Sequence, residues 1–226
     1  MSGAWSHLRR HAVALGYLVL LATGGLVTQA LPLATRDAWV RWVSTSVVNL
    51  LDHPLPSLVL SAFVPRGDLL SWLAVGAMGL VGLNRALGNA RTLVLIAAAH
   101  VVGTVVSEGV QAVRVLLGQL PDSELHLIDT GPSFVVLGAV TASLVYGSWP
   151  ARALSAVAFV LLWPHMFGGL TSLDVSAVGH LVALVTALVV GAVLPSVNLD
   201  GTPGHRWRLR MPARRRGRVT VDKPDS

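Results

Sequence analysis

Two residues in this sequence have the types that nucleophilic catalysis needs: Ser133, in Gly131-Pro132-Ser133, and His180, in Gly179-His180. A serine hydroxyl attacks a carbonyl only when a neighbouring imidazole takes its proton. Ser133 opens an apolar run, so it stands where a helix presents free N–H groups and the positive end of its dipole. Those groups can stabilise an oxyanion. A second polar set, His100, Thr104, Ser107 and Glu108, falls on one face of a helix. Asp129, four residues before Ser133, either orients His180 as a third member or serves as a turn residue; the turn reading is preferred.

Each of these residues also has a plain structural reading. Ser133 after Gly-Pro suits a helix N-cap. His180 suits a hydrogen bond between helices. Glu108 suits a pairing with Arg114 or a histidine that glues helices together.

The elements that must position these side chains are membrane spans. The 226-residue chain is 53% hydrophobic and 12% charged, against about 25% charged in ordinary soluble domains. Its mean hydropathy is +0.66. A helix needs about 20 apolar residues to cross the hydrocarbon. Six stretches qualify, at about 11–31, 68–86, 91–117, 133–148, 151–167 and 175–194. The first follows Arg9 and Arg10 without a small-residue cleavage site and is read as a retained span, not a signal peptide. The segment 32–67 has four prolines and scattered charges. It predicts a long loop of short amphipathic helices lying in the interface, anchored by Trp39 and Trp42. The expected class is therefore an all-α polytopic membrane protein. Residues 1–10 form an N-terminal extension, 11–195 one six-helix membrane domain and 196–226 a basic, disordered tail.

The chain has no cysteine, which excludes disulfides and thiolate chemistry. Residues 205–226 carry eight Lys+Arg and two Asp+Glu, and so hold the whole net charge of +6. Such a tail suits anionic lipid at the cytoplasmic face better than nucleic acid. Six spans place Arg9, Arg10, Arg85, Arg91, Arg152 and the tail on one side. The loop 32–67, Asp122, Glu124 and Asp174 fall on the other. The positive-inside rule then puts both termini in the cytoplasm. Ser133 and His180 both enter from the outer side, His180 about five residues or 8 Å deep. Their matched depth is what makes a Ser–His dyad an expectation and not two isolated residues. Ala183, Ala187 and Gly191 follow His180 at four-residue spacing, a face that lets another helix approach closely.

Gly131-Pro132-Ser133 opening the fourth stretch, and Gly179-His180 followed by small residues in the sixth, resemble the rhomboid intramembrane serine proteases. Asn84-Arg85-Ala86-Leu87-Gly88 looks like that family's charged turn, and the loop 32–67 is similar to its first loop. The resemblance covers roughly 11–195. It implies a six-helix rhomboid-like bundle in which Ser133 is the nucleophile, His180 the base, and Gly131 gives the backbone room at the oxyanion site. His100, Glu108 and Asp129 would be supporting polar residues. The implied partners are a transmembrane protein substrate or client and membrane lipid, with no nucleic acid, metal or cofactor. The implied location is a bacterial plasma membrane, and the Ala/Val/Leu/Gly/Arg bias fits a GC-rich actinobacterial source. The sequence departs from the family pattern at two places. Phe134 follows the serine where the family has glycine, and the second stretch lacks the histidine that lines the family's oxyanion hole.

Three functions follow from these residues. The first is a Ser133–His180 intramembrane protease. The second, prompted by Phe134, is a catalytically inactive rhomboid-like protein that binds membrane clients. The third is a proton-coupled carrier using His100, Glu108 and His180, against which stands the lack of an internal repeat.

Overall fold

The structure is a computed structural model and describes residues 9–194. The basic tail expected beyond residue 195, and most of the N-terminal extension, lie outside the described residues. All six expected spans are helices: α1 (Ala12–Ala30), α5 (Leu69–Leu87), α6 (Asn89–Leu116), α7 (Ser133–Tyr146), α8 (Trp149–Phe167) and α9 (Val175–Val193). Between α1 and α5 the chain forms three short helices, α2 (Leu33–Val43), α3 (Val47–Asp52) and α4 (Pro54–Ser61). Prolines explain the breaks: Pro32 is the N-cap of α2 and Pro54 starts α4, both positions where a missing N–H does no harm.

Five of the six spans are long and apolar enough to cross a membrane; α7 is the shorter one, with 14 residues. At 1.5 Å per residue it measures about 21 Å, short of the roughly 30 Å hydrocarbon core. It tolerates this because it touches protein on all sides. Every residue from Phe134 to Ser143 is buried, packed among α5, α6, α8 and α9. A helix that is apolar all round belongs in the middle of a bundle. Small residues let the neighbours close on it. A methyl group added at Gly79 of α5 would sit 2.8 Å from the Val140 backbone, and one at Gly138 would sit 2.7 Å from Ala99 of α6.

Helix ends are capped by side chains, some from distant segments. Asp68 accepts bonds from the Ser71 N–H (2.8 Å) and hydroxyl (2.7 Å), which hold its carboxyl below the usual carboxylate range and start α5. Asp174 accepts from the Ala177 N–H (3.4 Å) and starts α9. In the α5–α6 turn, Asn84 accepts from the Ala14 N–H (2.9 Å) and donates to the Arg10 carbonyl (3.2 Å) and to Asn89 (2.9 Å). Asn89 in turn donates to the Arg9 carbonyl (2.7 Å). The two asparagines thus fasten the first turn of α1 to the α5–α6 turn, which brings Arg9, Arg10 and the α5–α6 turn to one end of the bundle.

At the other end, the connection between α6 and α7 is sewn to the short helices. Thr45 N–H donates to the Asp129 carbonyl (2.9 Å), Asp129 N–H donates to the Ser44 hydroxyl (2.9 Å), and Gly131 N–H donates to the Ser61 carbonyl (3.0 Å). The indole of Trp39 donates to Thr28 (3.1 Å) and stacks near Trp42, which stacks on His53. These contacts set α2, α3 and α4 over the mouth of the bundle.

Candidate functional site

Ser133 is the first residue of α7, and Pro132 is the N-cap. The capping reading of Ser133 is therefore not the one the fold uses: its hydroxyl makes no hydrogen bond to the backbone of α7. Gly131 has φ +138°, a conformation that L side chains rarely adopt, and this turns the chain sharply into the helix. Ser133, Gly131, Asp129 and His100 line one cleft, together with Thr45, Ser61, Thr130 and Phe134. The cleft is shallow and has a cavity volume of only about 10 Å³, room for about one water molecule.

His180 is 4% exposed and lies outside this lining. Its Nδ1 is 2.9 Å from the Met166 carbonyl of α8, so Nδ1 carries the hydrogen. Nε2 is then the basic nitrogen, and it is buried without a hydrogen-bond partner. No hydrogen bond joins it to Ser133. What faces the imidazole is Phe134. The two ring centroids are 5.1 Å apart and the planes meet at 76°, an edge-on contact.

Phe134 is 3% exposed and held in a notch. A methyl group on Gly179 of α9 would run into its ring, and one on Gly103 of α6 would sit 3.3 Å from it. The ring also lies 6.2 Å from that of His100. Phe134 is thus a neighbour of both histidines, and the two glycines leave room for its ring.

His100 has a different attachment. Its Nε2 is 2.8 Å from the Leu58 carbonyl and so carries the hydrogen, with the Ser61 hydroxyl at 3.5 Å. Its free lone pair is on Nδ1, which is buried and unpartnered. The Ser61–His100 contact is consequently on the protonated nitrogen, the wrong one for a base acting on Ser61. The pair works as a pin holding α4 against α6.

Glu108 is 3% exposed, and neither carboxylate oxygen has a partner of hydrogen-bond geometry, although the Val47 N–H acts on its charge. It pairs with neither Arg114 nor a histidine; Arg114 donates to the Leu173 carbonyl instead (2.8 Å). Asp129 uses only its backbone in hydrogen bonds, as its turn reading requires. Its half-buried carboxyl is pushed up to about 6, chiefly by burial, with Arg66 pulling down and Asp174 adding repulsion. Among the described residues no group of three His, Cys, Asp or Glu side chains is arranged to hold a metal ion.

Sequence reading missed Thr45, Ser61 and Thr130 as lining of the cleft. Thr45 and Ser61 come from the short-helix segment, and no local pattern marks them. Phe134 was visible as a departure from the family pattern, but its contacts with His100 and His180 were not.

A multi-pass helical membrane bundle, with a serine opening its short central helix and a histidine on its last, defines a class. The chain belongs to the rhomboid-like protein family, whose model matches residues 6–198. Neither the curated proteins nor the solved structures yield a match.

Proposed function

We propose that this rhomboid-like protein holds transmembrane segments of other membrane proteins without hydrolysing them. One observation carries the reading. The basic nitrogen of His180 is buried and unpartnered, and the imidazole packs against Phe134 where a working dyad needs the Ser133 hydroxyl within about 3 Å. With no hydrogen bond from that nitrogen to the Ser133 hydroxyl, Ser133 has no base to take its proton. The bundle keeps its family architecture, and the expected partners are apolar segments of other membrane proteins in the surrounding lipid. The test is a fluorophosphonate probe on the detergent-purified protein, alongside photo-crosslinking to a model transmembrane peptide. The reading expects crosslinks and no labelling of Ser133.

Hydrolysis is the second reading, and it has its own support. The Met166 carbonyl holds His180 in the tautomer a general base requires, and the Ser133 hydroxyl is free of capping duty. Turning Phe134 out of its notch would let Nε2 take the hydroxyl proton as the oxygen attacks a carbonyl carbon. Probe labelling that disappears in Ser133→Ala supports this second reading.

A further inference from the structure

The chain reverses between α5 and α6 within one residue, Gly88, at φ +78°. The turn carries Asn84 and Asn89, which donate to the Arg10 carbonyl (3.2 Å) and the Arg9 carbonyl (2.7 Å). The same two side chains accept from the Ala14 N–H (2.9 Å) and the Val13 N–H (3.3 Å). The backbone of Arg9 and Arg10 is therefore clasped to the turn that Arg85 and Arg91 flank.

The positive charge at this end has no opposite. α7 finishes here and α8 begins here, which adds Arg152. Its guanidinium is engaged by the Gly147 (2.9 Å) and Val145 (2.7 Å) carbonyls. Among the described residues no aspartate or glutamate stands at this end. All of them lie in the segment 37–68, in the far half of α6, in the α6–α7 connection or at the start of α9. Arg10 and Arg85 are exposed, and their guanidinium groups have no hydrogen bond or ion pair among the described residues. Each offers five N–H donors in a planar fork that matches phosphate oxygens.

The depth of the cluster is marked by an aromatic residue. Trp149, the first residue of α8, is 79% exposed at the same end. An indole at the end of a span belongs at the level of the lipid headgroups.

We propose that Arg10 and Arg85, held together by the Asn84–Asn89 clasp, bind the phosphodiester of an anionic phospholipid in the leaflet they face. Arg9 and Arg91 add to the positive field. A zwitterionic headgroup brings its own ammonium to that field, so an anionic one is preferred. This site lies at the opposite end of the bundle from Ser133, and it does not depend on whether the protein holds or cuts its clients.

The experiment reconstitutes the full chain in phosphatidylcholine liposomes doped with phosphatidylglycerol that carries a photo-crosslinker on its headgroup. Mass spectrometry maps the labelled peptides. Labelling should fall at the start of α1 and in the α5–α6 turn, and should exceed that by a phosphatidylcholine probe of the same design. Arg10→Gln and Arg85→Gln should each reduce it about fivefold. Both keep the backbone clasp, so unfolding temperatures should not change. Arg41→Gln removes the same charge at the other end of the bundle and should leave the labelling as it was. Equal labelling by the two probes overturns the site. So does a loss in Arg41→Gln as large as that in Arg10→Gln, which reports net charge alone. Phosphatidylglycerol labelling confined to residues 205–226 overturns it as well.

Discussion

The ring of Phe134 meets the imidazole of His180 edge-on, with centroids 5.1 Å apart, and both residues are almost fully buried. His180 has its tautomer anchored by the Met166 carbonyl and its other nitrogen free of hydrogen bonds, and its neighbour is an aromatic ring.

Replacing that ring is expected to have two effects at once. Phe134→Gly removes a buried aromatic side chain, a loss of about 3–5 kcal/mol by comparison with other core truncations. The same change removes the ring that packs edge-on against His180. Thermal unfolding in detergent should show the stability loss, while fluorophosphonate labelling of Ser133 should rise above that of the parent protein.

The glycine beneath the ring gives a complementary test. Gly179→Ala places a methyl group against Phe134, and overpacking of this kind costs about 1–3 kcal/mol. Combined with Phe134→Ala, the added methyl should cost far less, because the ring it meets is gone. A double-mutant cycle on the unfolding temperature measures the coupling.

Asn84 is expected to matter far more than its place in a turn suggests. It is 1% exposed and bonds the Ala14 N–H, the Arg10 carbonyl and Asn89. Asn84→Ala leaves a buried donor and acceptors without partners, which costs about 1–3 kcal/mol. Protease sensitivity near the start of α1 should rise together with the loss of thermal stability.

Asp129 makes a prediction about pH. Its folded-state pKa, about 6, is above the ordinary 3.8. The folded protein therefore binds this proton more tightly than the unfolded chain. The stabilising contribution is complete below about pH 4 and is lost as pH rises through 6. Asp129→Asn should accordingly be more stable than the parent at pH 7.5 and equal to it near pH 4, as read from unfolding temperatures across that range.

Five of the spans were legible because a bilayer demands about 20 apolar residues from each; α7, with 14, was legible as an apolar run opened by Gly131-Pro132-Ser133. The stretch expected at 175–194 is the helix Val175–Val193, and the one expected at 91–117 is Asn89–Leu116. The short helices were legible from prolines and tryptophans. The interior of the site was not. The notch for Phe134 is made by Gly103 and Gly179 on different helices; Gly179 stands out in sequence only as the neighbour of His180, and nothing in sequence pairs it with Gly103. The attachment of His100 is to a backbone carbonyl, that of Leu58, which leaves no mark in residue type. Likewise Ser61 lies in the cleft lining with its carbonyl bound by the Gly131 N–H, a backbone contact that leaves no mark in residue type.

The most direct test of the central claim follows a transmembrane peptide in liposomes containing the full-length protein. Photo-crosslinking and mass spectrometry report capture and cleavage in the same sample. A protein that holds without cutting yields crosslinked, intact peptide, unchanged in amount by Ser133→Ala. Peptide fragments that vanish in both Ser133→Ala and His180→Ala would contradict it.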